Sequence, residues 1–368
     1  MEQINLFNTF IHPDALHQVA NVLDSTFLSE GEIVSQFERK IETDLGLQNC
    51  VALNSGTSAL HLALVLAGVS QGDEVILPAQ TFVATGLVIV QQGAVPVFAD
   101  IDYRTGNISV ESVKKKITSK TKAILPVHWG GYPCDMDEIY SIAKEHGLLI
   151  IEDAAHALGA TYKEKPVGSI SDFTCFSFQA IKHLATGDGG ALCTKTKTDF
   201  EKAITKRWFG IDRTHSPVSE LGERSYNIKE LGYKYHMNNY TAALGLANLN
   251  GFKERLEKRI ATANYHRREL KKVDGIDLFD YQEDRQSAYW LFGFHVQRRR
   301  DFIKALRSKN IVASVVHQRI DRNDIFGGIK KDLVNQARFD GTQIHIPIHD
   351  EIDLEKATYI VEIIKNGW

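Results

Sequence analysis

The sequence is short of the features that mark metal, membrane and nucleic-acid proteins. Its 368 residues hold four cysteines, Cys50, Cys134, Cys175 and Cys193, with no C-x-x-C pair and no zinc-like spacing. Neither a metal centre nor a disulfide frame is expected, and a reducing, intracellular compartment is. No apolar run is long enough to span a bilayer; the best candidate, residues 83–98, is interrupted by Gln91, Gln92, Gly93 and Pro96. The opening stretch MEQINLFNTFIHPD has no basic region leading into an apolar one, so no secretory signal is expected. An excess of one charge is missing too. A formal net charge of −3 gives no electrostatic reason to bind nucleic acid or an anionic membrane. The basic runs at 114–116 and 298–300 read as solvated faces. Neither G-x-G-x-x-G nor G-x-x-x-x-G-K-[ST] occurs, which removes the common nucleotide loops. There is no internal repeat. These absences leave a soluble, cytoplasmic protein as the expectation.

What is present is a globular composition, 43% hydrophobic and 24% charged, enough for a sizeable core. Helical spacing marks residues 14–27 and 33–45. From residue 74, short apolar runs at 74–77, 95–99, 123–127 and 148–151 alternate with helical patterns at 81–90, 110–117 and 136–145. This alternation predicts an α/β fold, with a mostly parallel central sheet covered by helices on both faces. Runs at 173–178 and 190–194 extend the sheet. Asp100, His128, Asp153 and Ser177 then fall at strand C-terminal ends, the edge where open α/β sheets bind ligands. Residues 210–235 are polar and irregular, long for a connection inside a domain and so a candidate functional loop. Beyond them the pattern changes to a smaller α+β unit. The expected division is a large domain over 1–245 and a small C-terminal one over 246–368.

Several short motifs suggest chemistry. Residues 173–191, FTCFSFQAIKHLATGDGGA, read as a strand, a turn carrying Lys182, and a cluster of Gly187, Gly189 and Gly190. A lysine between the Ser177 hydroxyl and a crowded bend suits a Schiff-base nucleophile, because desolvation lowers its pKa. Gly56, Thr57 and Ser58 open a helix whose free N–H groups suit a phosphate. Asp153, after an apolar run, suits a protonated pyridine nitrogen, His156 a neighbouring ring oxygen, and Phe82 the face of the ring. Each also has an ordinary reading: a helix cap, a turn cap, a satisfied histidine, a core phenylalanine, a surface lysine. Their order carries the information, because together they are the parts a pyridoxal phosphate (PLP) site needs. His183 and His317 are candidate substrate-binding residues.

The chain resembles the DegT/DnrJ/EryC1/StrS sugar-nucleotide aminotransferases, within the fold-type I (aspartate aminotransferase-like) PLP enzymes. The resemblance runs nearly end to end, through FLSEGEIVSQFERKI (27–41), LNSGTSALHLAL (53–64), GDEVILPAQTFVAT (72–85), GAVPVFADID (93–102), EDAAHALGA (152–160), SFQAIKHLATGDGG (177–190), LGYKYHMNNYTAALGLANL (231–249) and IHIPIH (344–349). It implies Lys182 as the Schiff-base lysine and Asp153 as the partner of the pyridine nitrogen. It also implies His156 beside the ring hydroxyl, Phe82 stacked on the ring, and Gly56, Thr57 and Ser177 around the phosphate. It further implies a homodimer with shared sites, in which the stretch around Lys234 comes from the other subunit. The reaction implied is amination of a nucleotide-linked keto-deoxysugar, with L-glutamate as donor and 2-oxoglutarate as by-product. The chain departs from the commoner GYNYRM motif, having Lys234 for asparagine and His236 for arginine, and has Asn239 where aspartate is common. The competing readings are a sugar dehydratase of the same fold, in which histidine replaces the lysine, and a non-catalytic sensor retaining the site.

Overall fold

Seven strands form the central sheet of the computed structural model, which describes residues 2–213 and 215–368. They are β1 (Cys50–Leu53), β2 (Glu74–Pro78), β3 (Val95–Ala99), β4 (Thr121–Ile124), β5 (Leu149–Asp153), β8 (Phe173–Ser177) and β9 (Gly190–Thr194), in the order β1-β9-β8-β5-β4-β2-β3. Only β9 runs against its neighbours; the other six strands point the same way. A separate small sheet has β6 (Thr161–Tyr162) between β7 (Lys165–Pro166) and β11 (Arg285–Gln286).

The strands are apolar on both faces because helices cover both, and their period of two sorts the side chains. Val51, Leu53, Leu77, Ile151 and Leu192 face a cluster shared with α3 (Gly56–Leu66), α4 (Val83–Gln91) and α7 (Lys197–Lys206). On the other face Ile76, Ile124 and Ile150 meet α5 (Val110–Lys116) and α6 (Met136–His146). Cys50, Ala52, Phe176 and Ala191 meet α2 (Glu32–Leu45) and α8 (Asn239–Leu249). The helix α1 (Ala15–Ser25) lies outside, against α8. As its apolar sequence demands, α3 is buried from Ser58 through Leu64.

The C-terminal unit has an antiparallel sheet, β10 (Ile276–Leu278), β12 (Phe292–Val296) and β13 (Gln343–Ile346). Its helices are α9 (Phe252–Leu270), α10 (Arg299–Arg307), α11 (Val334–Thr342) and α12 (Leu354–Lys365). The expected division at 245/246 falls inside α8, which packs on α1 and α2; we place the junction at Asn250–Gly251. The N-terminus also crosses over. Ile4 donates to Asn310 O (2.8 Å), accepts from Val312 N–H (3.0 Å), and is buried in the small-domain core. Ile311 and Ser314 make only isolated bridges, to Ile4 and His345 respectively. Among the described residues no helix is long and apolar enough to cross a membrane.

Candidate active site

The parallel strands deliver their C-terminal ends to one edge, and there a cavity of about 370 Å³ opens. The turn from β1 into α3 forms one end of it. Ser55 caps α3 by accepting from Ser58 N–H (3.0 Å), and Ser58 Oγ in turn donates to Asn54 Oδ1 (2.6 Å). Those bonds leave the Gly56 and Thr57 amides at the positive end of the helix dipole. Position 56 has to be glycine: a Cβ there would lie 2.9 Å from Ser177 Cβ and 3.3 Å from Phe176 O. Gly190 is as tight, since its Cβ would meet Gly56 N at 2.5 Å. The helix start is thus pressed onto the ends of β8 and β9, which sets Ser177 beside it.

Asp153 ends β5 and is 5% exposed. Its Oδ2 accepts from Thr85 Oγ1 (2.7 Å), which is itself 2.7 Å from Thr81 Oγ1, and its Oδ1 accepts from Ala155 N–H (3.2 Å). Burial raises its pKa against these bonds and against the nearby Lys182 charge. Lys182 Nζ lies 3.5 Å from the centroid of the Trp290 ring. That ring is fixed by Nε1–H donation to Ile181 O (2.9 Å). Burial of the amine pushes Lys182 down to about 7, with Asp153 pulling the other way. Near neutral pH about half of an amine so placed is the free base.

His156 stacks on the other part of this aromatic wall, 3.8 Å from Trp290 at 16°. Its Nδ1 is buried without a partner among the described residues, and burial followed by the Lys182 charge holds the ring well below the usual histidine range. His317 closes the wall, 5.1 Å from Phe82 and 5.9 Å from Trp290, and burial lowers it to about 4. Phe82 keeps 52% of its surface exposed, an unusual state for a large apolar ring and one that a flat ligand would relieve.

The cavity therefore gathers Gly56, Thr57, Phe82, Asp153, His156, Ser177, Lys182 and His317. It does not gather His183, whose Nε2 bonds Ala288 O (2.8 Å) in a buried position. That bond ties the lysine turn to the segment between β11 and β12 that carries Trp290. Lys234 is exposed and away from this cavity. It alternates with Tyr233 and Tyr235, which stack on each other at 5.0 Å and edge onto His61 of α3. Sequence reading missed Trp290 and Thr85. A tryptophan in SAYWLFGF reads as core; Thr85 had a signal, since Thr81 and Thr85 share a helix face.

The residues present fit PLP. An unpartnered His156 Nδ1, a glycine cradle at a helix start and a carboxylate at the far side match a hydroxyl, a phosphate and a ring nitrogen. Among the described residues no cluster of metal-ligating side chains occurs.

The fold and cavity define an aminotransferase. The chain belongs to the DegT/DnrJ/EryC1/StrS aminotransferase family, whose profile matches residues 10–365. It is 35% identical to the GDP-perosamine synthase of Escherichia coli O157:H7 over 292 residues, 79% of this chain and 77% of that protein. The crystal structure of the sugar aminotransferase CalS13 from Micromonospora echinospora superposes with a TM-score of 0.94 at 31% identity, covering 99% of this chain and all of that one. The sugar aminotransferase Spr1654 of Streptococcus pneumoniae, described as putative and solved in PLP and PMP forms, gives 0.91 at 28% identity, over 99% and 98% of the two chains. These likenesses bear out the expected fold-type I architecture.

Proposed function

We propose that the chain binds PLP and transfers an amino group from L-glutamate to a nucleotide-linked keto-deoxysugar, as a cytoplasmic homodimer with shared sites. The observation that carries this reading is Lys182, an amine held near pKa 7 in one cavity with Asp153 and the unpartnered His156. Bound PLP supplies an electron sink for the carbon that gains or loses its proton. The Gly56 and Thr57 amides with the Ser177 hydroxyl would hold its phosphate, Asp153 its ring nitrogen, His156 Nδ1 its hydroxyl, and Phe82 its face.

In the reaction, Lys182 Nζ is the base that takes the Cα proton of the amino donor and the acid that returns it. Its free-base fraction near neutral pH makes the first step possible. Asp153, aimed by Thr85 and the Ala155 amide, holds a positive charge opposite. His317 and Trp290 form the wall where the sugar is received. Lys182 is the one lysine or arginine among the described residues lining the cavity, which also holds Asp153 and Asp188. A phosphate dianion gains from a further cation, and Lys234 of a second copy supplies it as a point charge.

Lys182 is present and His183 is occupied with Ala288 O, which favours transamination over the dehydratase reading. The test is direct. Adding PLP should give a long-wavelength absorption band that Lys182→Ala lacks, glutamate should bleach it, and 2-oxoglutarate should form. A band that glutamate leaves untouched would favour a sensor. Mass spectrometry over a panel of keto-sugar nucleotides then identifies the acceptor.

A further inference from the structure

The loop after His317 holds a buried charge pair that the proposed reaction does not use. Arg319 and Asp321 are 5% and 0% exposed, a state charged side chains reach only when paired. They meet through two bonds, Nε to Oδ1 at 2.6 Å and Nη2 to Oδ2 at 2.6 Å. Both also grip the backbone of Lys330: Asp321 Oδ2 accepts its N–H (2.8 Å), and Arg319 Nη2 donates to its carbonyl (3.2 Å). Residues 319–330 are thereby tied into a closed loop.

The near end of that loop is docked on the site. Ile320 N–H donates to Ala79 O (2.9 Å), and Gln80 Nε2 donates to His317 O (3.3 Å). Ile320 and Phe326 press on α4 at Gly86, where a Cβ would lie 2.9 and 2.8 Å from them. His317 itself has φ 54°, a left-handed conformation that a histidine keeps only where its surroundings impose it. A buried ion pair adds little net stability over an apolar pair of the same shape. What an apolar pair lacks is direction, and here four bonds from two side chains fix the path of the chain.

We infer that Arg319 and Asp321 are positioning residues, which hold the backbone at His317 and through it the pocket wall that the keto-sugar meets. The kinetic part of this inference rests on the proposed transamination; the structural part does not.

Arg319→Lys keeps the charge and loses the planar fork, and Asp321→Asn keeps the shape and loses the charge. Each should lower kcat/KM for the keto-sugar by about 10- to 100-fold, mainly through KM, as expected for a displaced wall. For Arg319→Lys the glutamate half-reaction and PLP affinity should match wild type. Adding Arg319→Lys to His317→Ala should cost nothing further, because the pair acts through that residue. Without any substrate, diethyl pyrocarbonate should modify His317 several-fold faster in Arg319→Lys, read by peptide mass spectrometry, while buried His345 is unchanged. Additive losses, equal losses in both half-reactions, or an unchanged rate at His317 would overturn the inference. So would failure of both variants to fold, which would assign the pair to folding alone. If wild type aminates no keto-sugar nucleotide, the proposed function falls and the His317 labelling still decides this one.

Discussion

Glu152 and Asp153 are neighbours at the end of β5, buried alike, and their carboxyls part company. Successive residues on a strand face opposite sides. Glu152 turns to His128 Nε2 (2.6 Å) and Thr174 Oγ1 (3.0 Å). His128 Nδ1 accepts from Cys134 N–H (3.1 Å), so its proton sits on Nε2 and is donated to Glu152. Burial works to raise the Glu152 pKa, but the bonds from His128, Ser171 and Thr174 win and hold it below the usual carboxylate range. Asp153 has Thr85 and the Ala155 amide, and there burial wins. One carboxylate is satisfied inside the protein; the other is left for something in the cavity to satisfy. The buried cations divide in the same way. Arg207 is gripped by Glu38 and Glu30 and stays charged despite burial. Lys182 has an aromatic face beneath it and forms no ion pair among the described residues, and it approaches neutrality. Under-satisfaction of buried charge, more than burial, separates the site from its supports.

The sharpest way to break this comparison is to exchange the two kinds of residue. Lys182→Ala removes the proton carrier and should lower transamination by about 10⁴-fold or more, with the fold retained by circular dichroism. Asp153→Asn should cost about 10²–10³-fold in kcat, the scale of losing one preorganised charge, while leaving the melting temperature close to wild type. Glu152→Gln should show the reverse. Losing the charge-assisted bond from His128 should lower unfolding stability by about 2 kcal/mol, measured by urea titration, with kcat little changed. If Glu152→Gln costs as much activity as Asp153→Asn, the division between support and site is wrong. A smaller effect is expected of Thr85→Val, which removes one bond to Asp153 and should lower kcat by about 10-fold.

How far the sequence showed this contrast depends on whether the signal was local. The apolar runs gave the sheet, and Gly56, Asp153 and Lys182 stood out through their order along the chain, since each alone has an ordinary structural use. Trp290 was not legible, since its role comes from lying under Lys182, 108 positions earlier. The His183 bond to Ala288 O was hidden for the same reason, since it spans 105 positions. Arg319 and Asp321 carry no local signal in the sequence, because burial is a tertiary fact. The expected junction near 245 falls where α8 is rich in small residues. Those small residues serve close packing: at Gly245 a Cβ would lie 2.6 Å from the Phe37 ring.

The pH dependence of stability tests the contrast without any catalysis. In cofactor-free protein the Lys182 amine is held at about 7, below its ordinary 10.5. Below pH 7 folded and unfolded chains both carry the ammonium, and the folded state bears the full cost of burying it. Between about 7 and 10.5 the unfolded chain binds a proton that the folded chain does not, so stability rises with pH through that window and levels off above it. The slope is at most about 1.4 kcal/mol per pH unit. Lys182→Met has no amine to bury, so subtracting its urea stability from that of wild type at each pH cancels the other titrations. The difference should climb from pH 7 to 10. Covalent capture of PLP should share the same lower limit, its rate falling about tenfold per unit below pH 7 as the free base disappears. A flat difference would mean that the amine is solvated, and a capture limit near pH 10 would mean the same. Either result would put Lys182 among the satisfied cations with Arg207, and the site would lose its nucleophile.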